Sequence, residues 1–148
     1  MRLWRISVFP GLSGTGGLHT DGHWHSKGRP VMYAAEHPAL AMVEAMAHMR
    51  LSLTNIPMRL KLMAIDVDIA ATLASTPVMP PGWQANEPTT QAIGNAWLAS
   101  AAELLMPIPS AIVPHAKNYL INPAHPQAAE HLVEASIESF WIDKRFLR

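Results

Sequence analysis

Pro30-Val31-Met32-Tyr33-Ala34-Ala35, followed at once by Glu36-His37-Pro38 and the run Ala39 to Leu51, is the stretch on which the fold turns. Its first six residues are a short apolar run that reads as a strand. Pro38 then marks the first turn of a helix, where a missing backbone N–H costs nothing, and the helix is expected to run to about Leu51. Toward the N-terminus, Leu3 to Phe9 reads as a strand stopped by Pro10-Gly11, and Gly11 to Gly22 as a glycine-rich loop. Gly14-Thr15-Gly16-Gly17 lacks the spacing and the following Lys of a phosphate-binding loop. Toward the C-terminus, Met58, Leu60, Leu62 and Ala64 alternate with Arg59, Lys61 and Met63, so Met58 to Val67 is expected to be a strand with one face mostly polar. Asp68 to Ala74 reads as a short helical piece and proline-punctuated Ser75 to Pro88 as a loop. Gln91 to about Leu104 reads as a helix capped by Thr89 or Thr90. Short extended pieces are expected around Ser110 to Val113, a strand over Asn118 to Asn122, a helix over Ala124 to Ala135, and a closing strand over Ile137 to Ile142. Helices and short strands are intermixed without a regular βαβ repeat. The expected fold class is therefore α+β, as a single domain over 1–148.

The composition narrows the function. With 148 residues the chain can bury a core of its own without disulfide or metal staples. It has no cysteine, which removes disulfide scaffolds, Cys-based zinc sites, Fe–S clusters and Cys nucleophiles. Eleven basic residues balance eleven acidic ones, so the basic excess that neutralises phosphates in a nucleic-acid binder is missing. Only 15% of residues are charged and nine are Met: either the surface is unusually neutral or a partner covers part of it. Met1-Arg2-Leu3-Trp4-Arg5-Ile6 is not a signal peptide, and the apolar run Leu62 to Ala74 is broken by Asp66 and Asp68. The expectation is a cytoplasmic protein with no direct nucleic-acid or membrane binding.

Four places can carry chemistry. His19, Asp21, His23 and His25 lie within seven positions and invite a metal reading; His23 and His25 are spaced to share one strand face, but His19 lies in a flexible loop, and no metal is expected. On the Pro38–Leu51 helix, His37, Leu40, Ala41, Glu44, Ala47, His48 and Leu51 form one stripe, which puts Glu44 on a largely apolar face. A carboxylate there is either salt-bridged, at a boundary, or functional, because burying it alone costs several kcal/mol. Tyr33 is either a core tyrosine with a satisfied hydroxyl or a stacking platform for a flat ring. Ser110 has no acid or His beside it in sequence, and nothing local marks it as an activated nucleophile.

Several blocks, in order, resemble the RES domain family, named for recurring Arg, Glu and Ser residues. They are Leu3-Trp4-Arg5-Ile6-Ser7, Asp21 to Ala41, Pro81-Gly82-Trp83, Thr90 to Leu98, Pro109-Ser110-Ala111-Ile112-Val113-Pro114, and Asn118 to Pro126. The resemblance spans almost the whole chain. It implies an ADP-ribosyltransferase-like fold and the toxin of a bacterial toxin–antitoxin pair, with a helix-turn-helix antitoxin of the Xre type as partner. It also implies that NAD+ is consumed as substrate, by cleavage between nicotinamide and ribose, with no bound cofactor. The family's polar set maps to His23, Tyr33 and Glu44, with Ser110 as a further site residue. Where this chain has Gly22-His23-Trp24 the family usually has Gly-Arg-Trp. A His-Tyr-Glu set is similar to the other arrangement known among ADP-ribosyltransferases, and Arg5 and Arg29 are the nearby candidates for the absent positive charge.

The residue types suit that chemistry. Departure of nicotinamide leaves an oxocarbenium-like ribose, which a carboxylate such as Glu44 stabilises while holding a ribose hydroxyl. Tyr33 offers a ring to stack on nicotinamide, and His23, Arg5, Arg29 and Ser110 offer groups for ribose and pyrophosphate oxygens. Water or phosphate as acceptor makes the chain an NAD+ glycohydrolase or phosphorylase; a protein side chain makes it a mono-ADP-ribosyltransferase. A non-catalytic binding protein of the same fold is the remaining alternative.

Overall fold

The computed structural model describes residues 1–147. Six strands, β1 (Arg2–Ser7), β2 (Met32–Ala35), β3 (Lys61–Val67), β4 (Leu105–Pro109), β5 (Lys117–Ile121) and β6 (Leu132–Ser139), form one sheet in the order β4-β5-β2-β1-β3-β6. Every neighbouring pair is antiparallel, and four helices accompany the sheet: α1 (Gly16–His19), α2 (Pro38–Met49), α3 (Glu87–Ser100) and α4 (Ala128–His131). The architecture is α+β. At its centre the sheet is forked. β1 and β3 pair over six positions, whereas β1 and β2 meet only at Trp4↔Ala35.

The strand register sorts the core. Leu3, Met32, Ala34, Ile65, Tyr119 and Ile121 share one face and pack as one cluster with Leu104, Leu105 and Leu132. The opposite face carries two separate clusters. One gathers Ile6, Ala35, Leu40, Ala41, Ala45, Leu60 and Ile142 under α2. The other gathers Trp24, Trp83, Trp97, Met106, Ile108 and Leu120 under α3. The polar residues between Ala35 and Leu120 on that face are the ones with chemistry to offer.

α2 begins as Pro38 predicts. The His37 ring Nδ1 caps it by accepting from the Ala39 amide at 3.1 Å, and Arg50 ends it in the left-handed conformation, φ 49°. Elsewhere tertiary contacts overrule local pattern. β3 starts at Lys61, and Met63, Ala64 and Ile65 are all fully buried, because β3 lies between β1 and β6 with packing on both faces; the polar face expected from alternation does not exist. Asp68 to Ala74 is not helical. It turns through Ala71 N–H to Asp68 O and then runs along β4, with Ala74 N donating to Leu105 O and Leu105 N to Thr72 O. α3 starts earlier than expected, at Glu87, and its cap is Asn86, whose side chain accepts from Thr89 N. It stops at Ser100, before Ala101 at φ 48°, which frees Leu105 to begin a strand. The expected helix Ala124–Ala135 shrinks to α4; Leu132 to Ala135 instead extend β6, which pairs with β3 from Val67↔Leu132 onward. No helix among the described residues is long and apolar enough to cross a membrane.

Candidate functional site

Glu44 is half-buried on the inner side of α2. Leu40, Ala41 and Ala45 beside it are buried, while Ala47 and His48 are exposed, so the buried stripe ends a turn sooner than periodicity predicts. Among the described residues the carboxylate is held by hydrogen bonds, not by a cation. Ser110 Oγ donates to Oε1 at 2.5 Å and Asn118 Nδ2 donates to the same oxygen at 2.8 Å. Ser110 is itself fixed: its Oγ accepts from the Ile112 and Val113 amides at 3.1 and 3.0 Å. With its proton on Glu44 and its lone pairs occupied, the hydroxyl is a donor to the carboxylate, not a nucleophile. No protein hydrogen bond reaches Oε2 among the described residues, so one oxygen is anchored and the other is not. An apolar groove lined by Leu40, Val43, Val113 and Ala116 runs alongside. It includes neither Tyr33 nor Glu44, and the polar cluster, not this groove, marks the candidate site.

Tyr33 joins this face through the sheet. The register pairs Tyr33 with Leu120 and Ala35 with Asn118, which makes Tyr33 and Asn118 diagonal neighbours on one face, about 7–8 Å apart. The Tyr33 hydroxyl is fully engaged, donating to His25 Nδ1 at 2.7 Å and accepting from Trp24 N at 3.1 Å. His25 Nε2 lies 3.2 Å from Gly17 O, which can only accept; the proton is therefore on Nε2 and Nδ1 is the acceptor for Tyr33. Burial pushes the Tyr33 hydroxyl well above its ordinary pKa and pushes the His25 imidazole below its own. What Tyr33 presents is thus its ring. Gly22 makes this possible, since a Cβ there would stand 2.2 Å from the Tyr33 hydroxyl and 2.7 Å from His25 Nδ1.

His23 sits in the tight turn closed by the Gly22↔His25 bridge. Its ring meets Trp24 and Trp83 edge-on, at centroid distances of 6.1 and 6.3 Å. The turn sends His25 inward to Tyr33 and leaves His23 against the tryptophans, so the two histidines do not share a strand face. α3 clamps this turn. Thr90 Oγ1 donates to His23 O, Gln91 Nε2 to Gly22 O at 3.0 Å, and Asn95 exchanges two hydrogen bonds with Ser26. Gly94 completes the face: a Cβ there would fall 1.7 Å from Trp24 O.

Three buried side-chain polar atoms lack a partner among the described residues, and two of them, His23 Nε2 and Asn118 Oδ1, belong to this region. Leaving such an atom unpaired costs about 1–3 kcal/mol, so native chains rarely do it without a reason. Arg5 is placed differently from the others. It follows Trp4 at the fork of β1 and β2, and alternation turns it to the face opposite Tyr33. Its guanidinium donates to Phe9 O at 2.9 Å and Ser7 Oγ at 3.3 Å; burial pushes its pKa down to about 10, against the pull of Glu134, and it stays charged at neutral pH. Arg29 is exposed on the segment leading into β2. The structure therefore gathers Glu44, Ser110 and Tyr33 on one face, ties His23 to Tyr33 through the 22–25 turn, and leaves Arg5 apart. The roles of His25 and Asn118 are not legible in the sequence. His25 reads there as a metal-ligand candidate beside His23, whereas its acceptor role depends on a tyrosine one strand away. Asn118 looked like a polar strand end, and only the β2–β5 register brings it to Glu44.

Comparison with known proteins identifies the family. The model of the RES domain matches residues 2–143. A Pseudomonas putida protein named Toxin Res is 43% identical over 145 residues, covering 98% of this chain and 99% of that protein. A Sphingobium protein named Prs ADP-ribosylating toxin is 35% identical over 144 residues, covering 93% of this chain and 87% of its own. A Toxin Res of Yersinia enterocolitica is 32% identical over 152 residues, covering 98% of this chain and 99% of that protein. With a family match over nearly its whole length and relatives of the same size, this chain belongs to the RES domain family.

Proposed function

We propose that this chain is a toxin that breaks the bond between nicotinamide and ribose in NAD+ and passes ADP-ribose to an acceptor. The observation that carries this is the state of Glu44. One carboxylate oxygen is locked by Ser110 and Asn118, and the other has no partner among the described residues, on the sheet face that also carries the Tyr33 ring. A fixed anion beside a flat aromatic ring suits a substrate that separates into a flat neutral leaving group and a cation.

In the proposed reaction the C1′–N bond of the nicotinamide riboside breaks and its electron pair leaves with nicotinamide. Positive charge develops over C1′ and the ring oxygen. Glu44 stabilises that charge and holds a ribose hydroxyl through Oε2, without reorganising as the charge forms. Tyr33 stacks on the nicotinamide, which retains it until the bond is broken. An acceptor oxygen or nitrogen then bonds to C1′ and loses its proton to solvent or to Glu44. His23, with its unpartnered Nε2, is assigned to a ribose or phosphate oxygen, and Arg29 to the pyrophosphate. Arg5, on the other face, is assigned to the framework of the fork. NAD+ enters as substrate, and no bound cofactor is required.

The acceptor divides two versions of this reading. A relative that is 35% identical is named an ADP-ribosylating toxin, which favours a protein acceptor for this chain as well. Water or phosphate would make it a glycohydrolase or phosphorylase. In either version the three relatives named toxins support a cognate antitoxin as partner; its helix-turn-helix Xre type rests on the family resemblance alone. The test is to incubate purified protein with NAD+ labelled on the adenine side, with and without bacterial lysate as a source of acceptors. Label on a protein identifies a transferase, and free ADP-ribose or its phosphate identifies the alternative. If no nicotinamide is released under either condition, the proposed activity is wrong.

A further inference from the structure

Asn118 is a buried asparagine on β5, an interior strand, 8% exposed, and its carbonyl oxygen goes unused. Nδ2 donates to Glu44 Oε1 at 2.8 Å, and Oδ1 is buried with no hydrogen-bond partner among the described residues. Reversing the amide does not help, because Oδ1 would then face Glu44 Oε1, acceptor against acceptor. An apolar side chain of the same volume would avoid the orphaned atom altogether, since Leu120 and Ile108 occupy neighbouring positions of this face. A residue that costs stability where it sits is retained for something other than stability.

We propose that Asn118 is a positioning residue for the catalytic carboxylate. Glu44 projects from a helix, and Ser110 alone would leave it free to pivot about a single hydrogen bond. Asn118, from a different element, supplies a second donor to the same oxygen. Two donors from two directions fix the carboxylate plane and present Oε2 to the substrate. The role acts through Glu44 and so rests on the function proposed above; it adds that the orientation of the carboxylate, not only its presence, limits the rate.

Asn118→Leu and Asn118→Asp test this, measured as steady-state nicotinamide release alongside thermal melting. Asn118→Leu keeps the volume and removes both the donor and the orphaned acceptor. Its melting temperature is expected to hold or rise while kcat falls at least tenfold and KM stays within about threefold, a combination that a merely structural residue does not produce. Asn118→Asp replaces the amide donor by a carboxyl that can donate to Glu44 only when protonated. Its kcat is expected to rise relative to wild type as the pH is lowered, a trend absent from Asn118→Leu. Wild-type kcat in Asn118→Leu overturns the proposal. So does a loss of activity that tracks a fall in melting temperature in both variants, with no recovery of Asn118→Asp in acid. A wild-type protein that releases no nicotinamide overturns the proposed function and this role together, whereas an active wild type matched by an equally active Asn118→Leu overturns this role alone.

Discussion

His25 shows how a residue without a chemical role can set the conditions under which a site exists. It is buried, it accepts the Tyr33 proton, and it donates to Gly17 O, so the anchoring of the tyrosine depends on a neutral imidazole. Desolvation lowers its pKa below the ordinary 6.5, outweighing the hydrogen bonds that oppose the shift. The unfolded chain therefore takes up a proton more readily than the folded one. Stability from this residue is fully present above about pH 6.5 and is lost as the pH falls from there through the depressed folded value. Urea denaturation is expected to show the midpoint falling between about pH 7.5 and pH 5. His25→Gln, which cannot titrate, should be less stable at neutral pH by about 1–2 kcal/mol and lose less on acidification. An unchanged pH slope in the variant would remove His25 as the source.

At the scale of elements, α3 matters for its grip on the 22–26 turn. Thr90, Gln91, Gly94 and Asn95 lie on one helical face, and each meets a different residue of that turn. The turn in turn supplies the Trp24 amide and the His25 ring to Tyr33. Gly94→Ala separates this contact from helix propensity. In an unobstructed helix the change would gain about 1 kcal/mol. Here the new methyl would fall 1.7 Å from a backbone carbonyl, which cannot retreat without shifting the turn. Overpacking of this kind costs about 1–3 kcal/mol or more, so the net effect is expected to be destabilising. A lowered melting temperature together with reduced nicotinamide release checks it; a stabilised, fully active variant would mean that α3 does not press on the turn.

For the molecule as a whole, Met58, Ile69, Val78 and Trp141 are largely exposed, and Met58 and Ile69 stand beyond opposite ends of β3. The functional consequence expected at this scale is growth arrest on expression without an antitoxin. Glu44→Gln should relieve it, because the amide keeps the shape and the Ser110 hydrogen bond but removes the charge, at a cost of about 10²–10³-fold in rate. Growth curves with intracellular NAD+ measured in parallel, on a variant whose melting curve matches the wild type, decide this. Equal arrest by the two forms would show that Glu44 does not carry the reaction.

The order of residues along the chain was enough to determine the family, the α+β class and the Pro38 start of α2, and to name His23, Tyr33, Glu44 and Ser110 as candidates. Local chemistry fixes a proline helix start, and a long ordered set of motifs identifies a family without any coordinates. It was not enough for β3, β6 or the segment Asp68 to Ala74. Whether a strand has a wet face, or whether Leu132 to Ala135 coil or extend, depends on which strands lie alongside, and those are far away in sequence. The site divides along the same line. Glu44 was legible because it interrupts an apolar stripe on its own helix. That its partners are Ser110 and Asn118 instead of a cation, that the Tyr33 hydroxyl is spent on His25, and that Arg5 faces away were decided by strand register. Register is a tertiary property: it follows from how the strands pair across the sheet, and a shift of one residue would turn a strand side chain such as Arg5, Tyr33 or Asn118 to the other face.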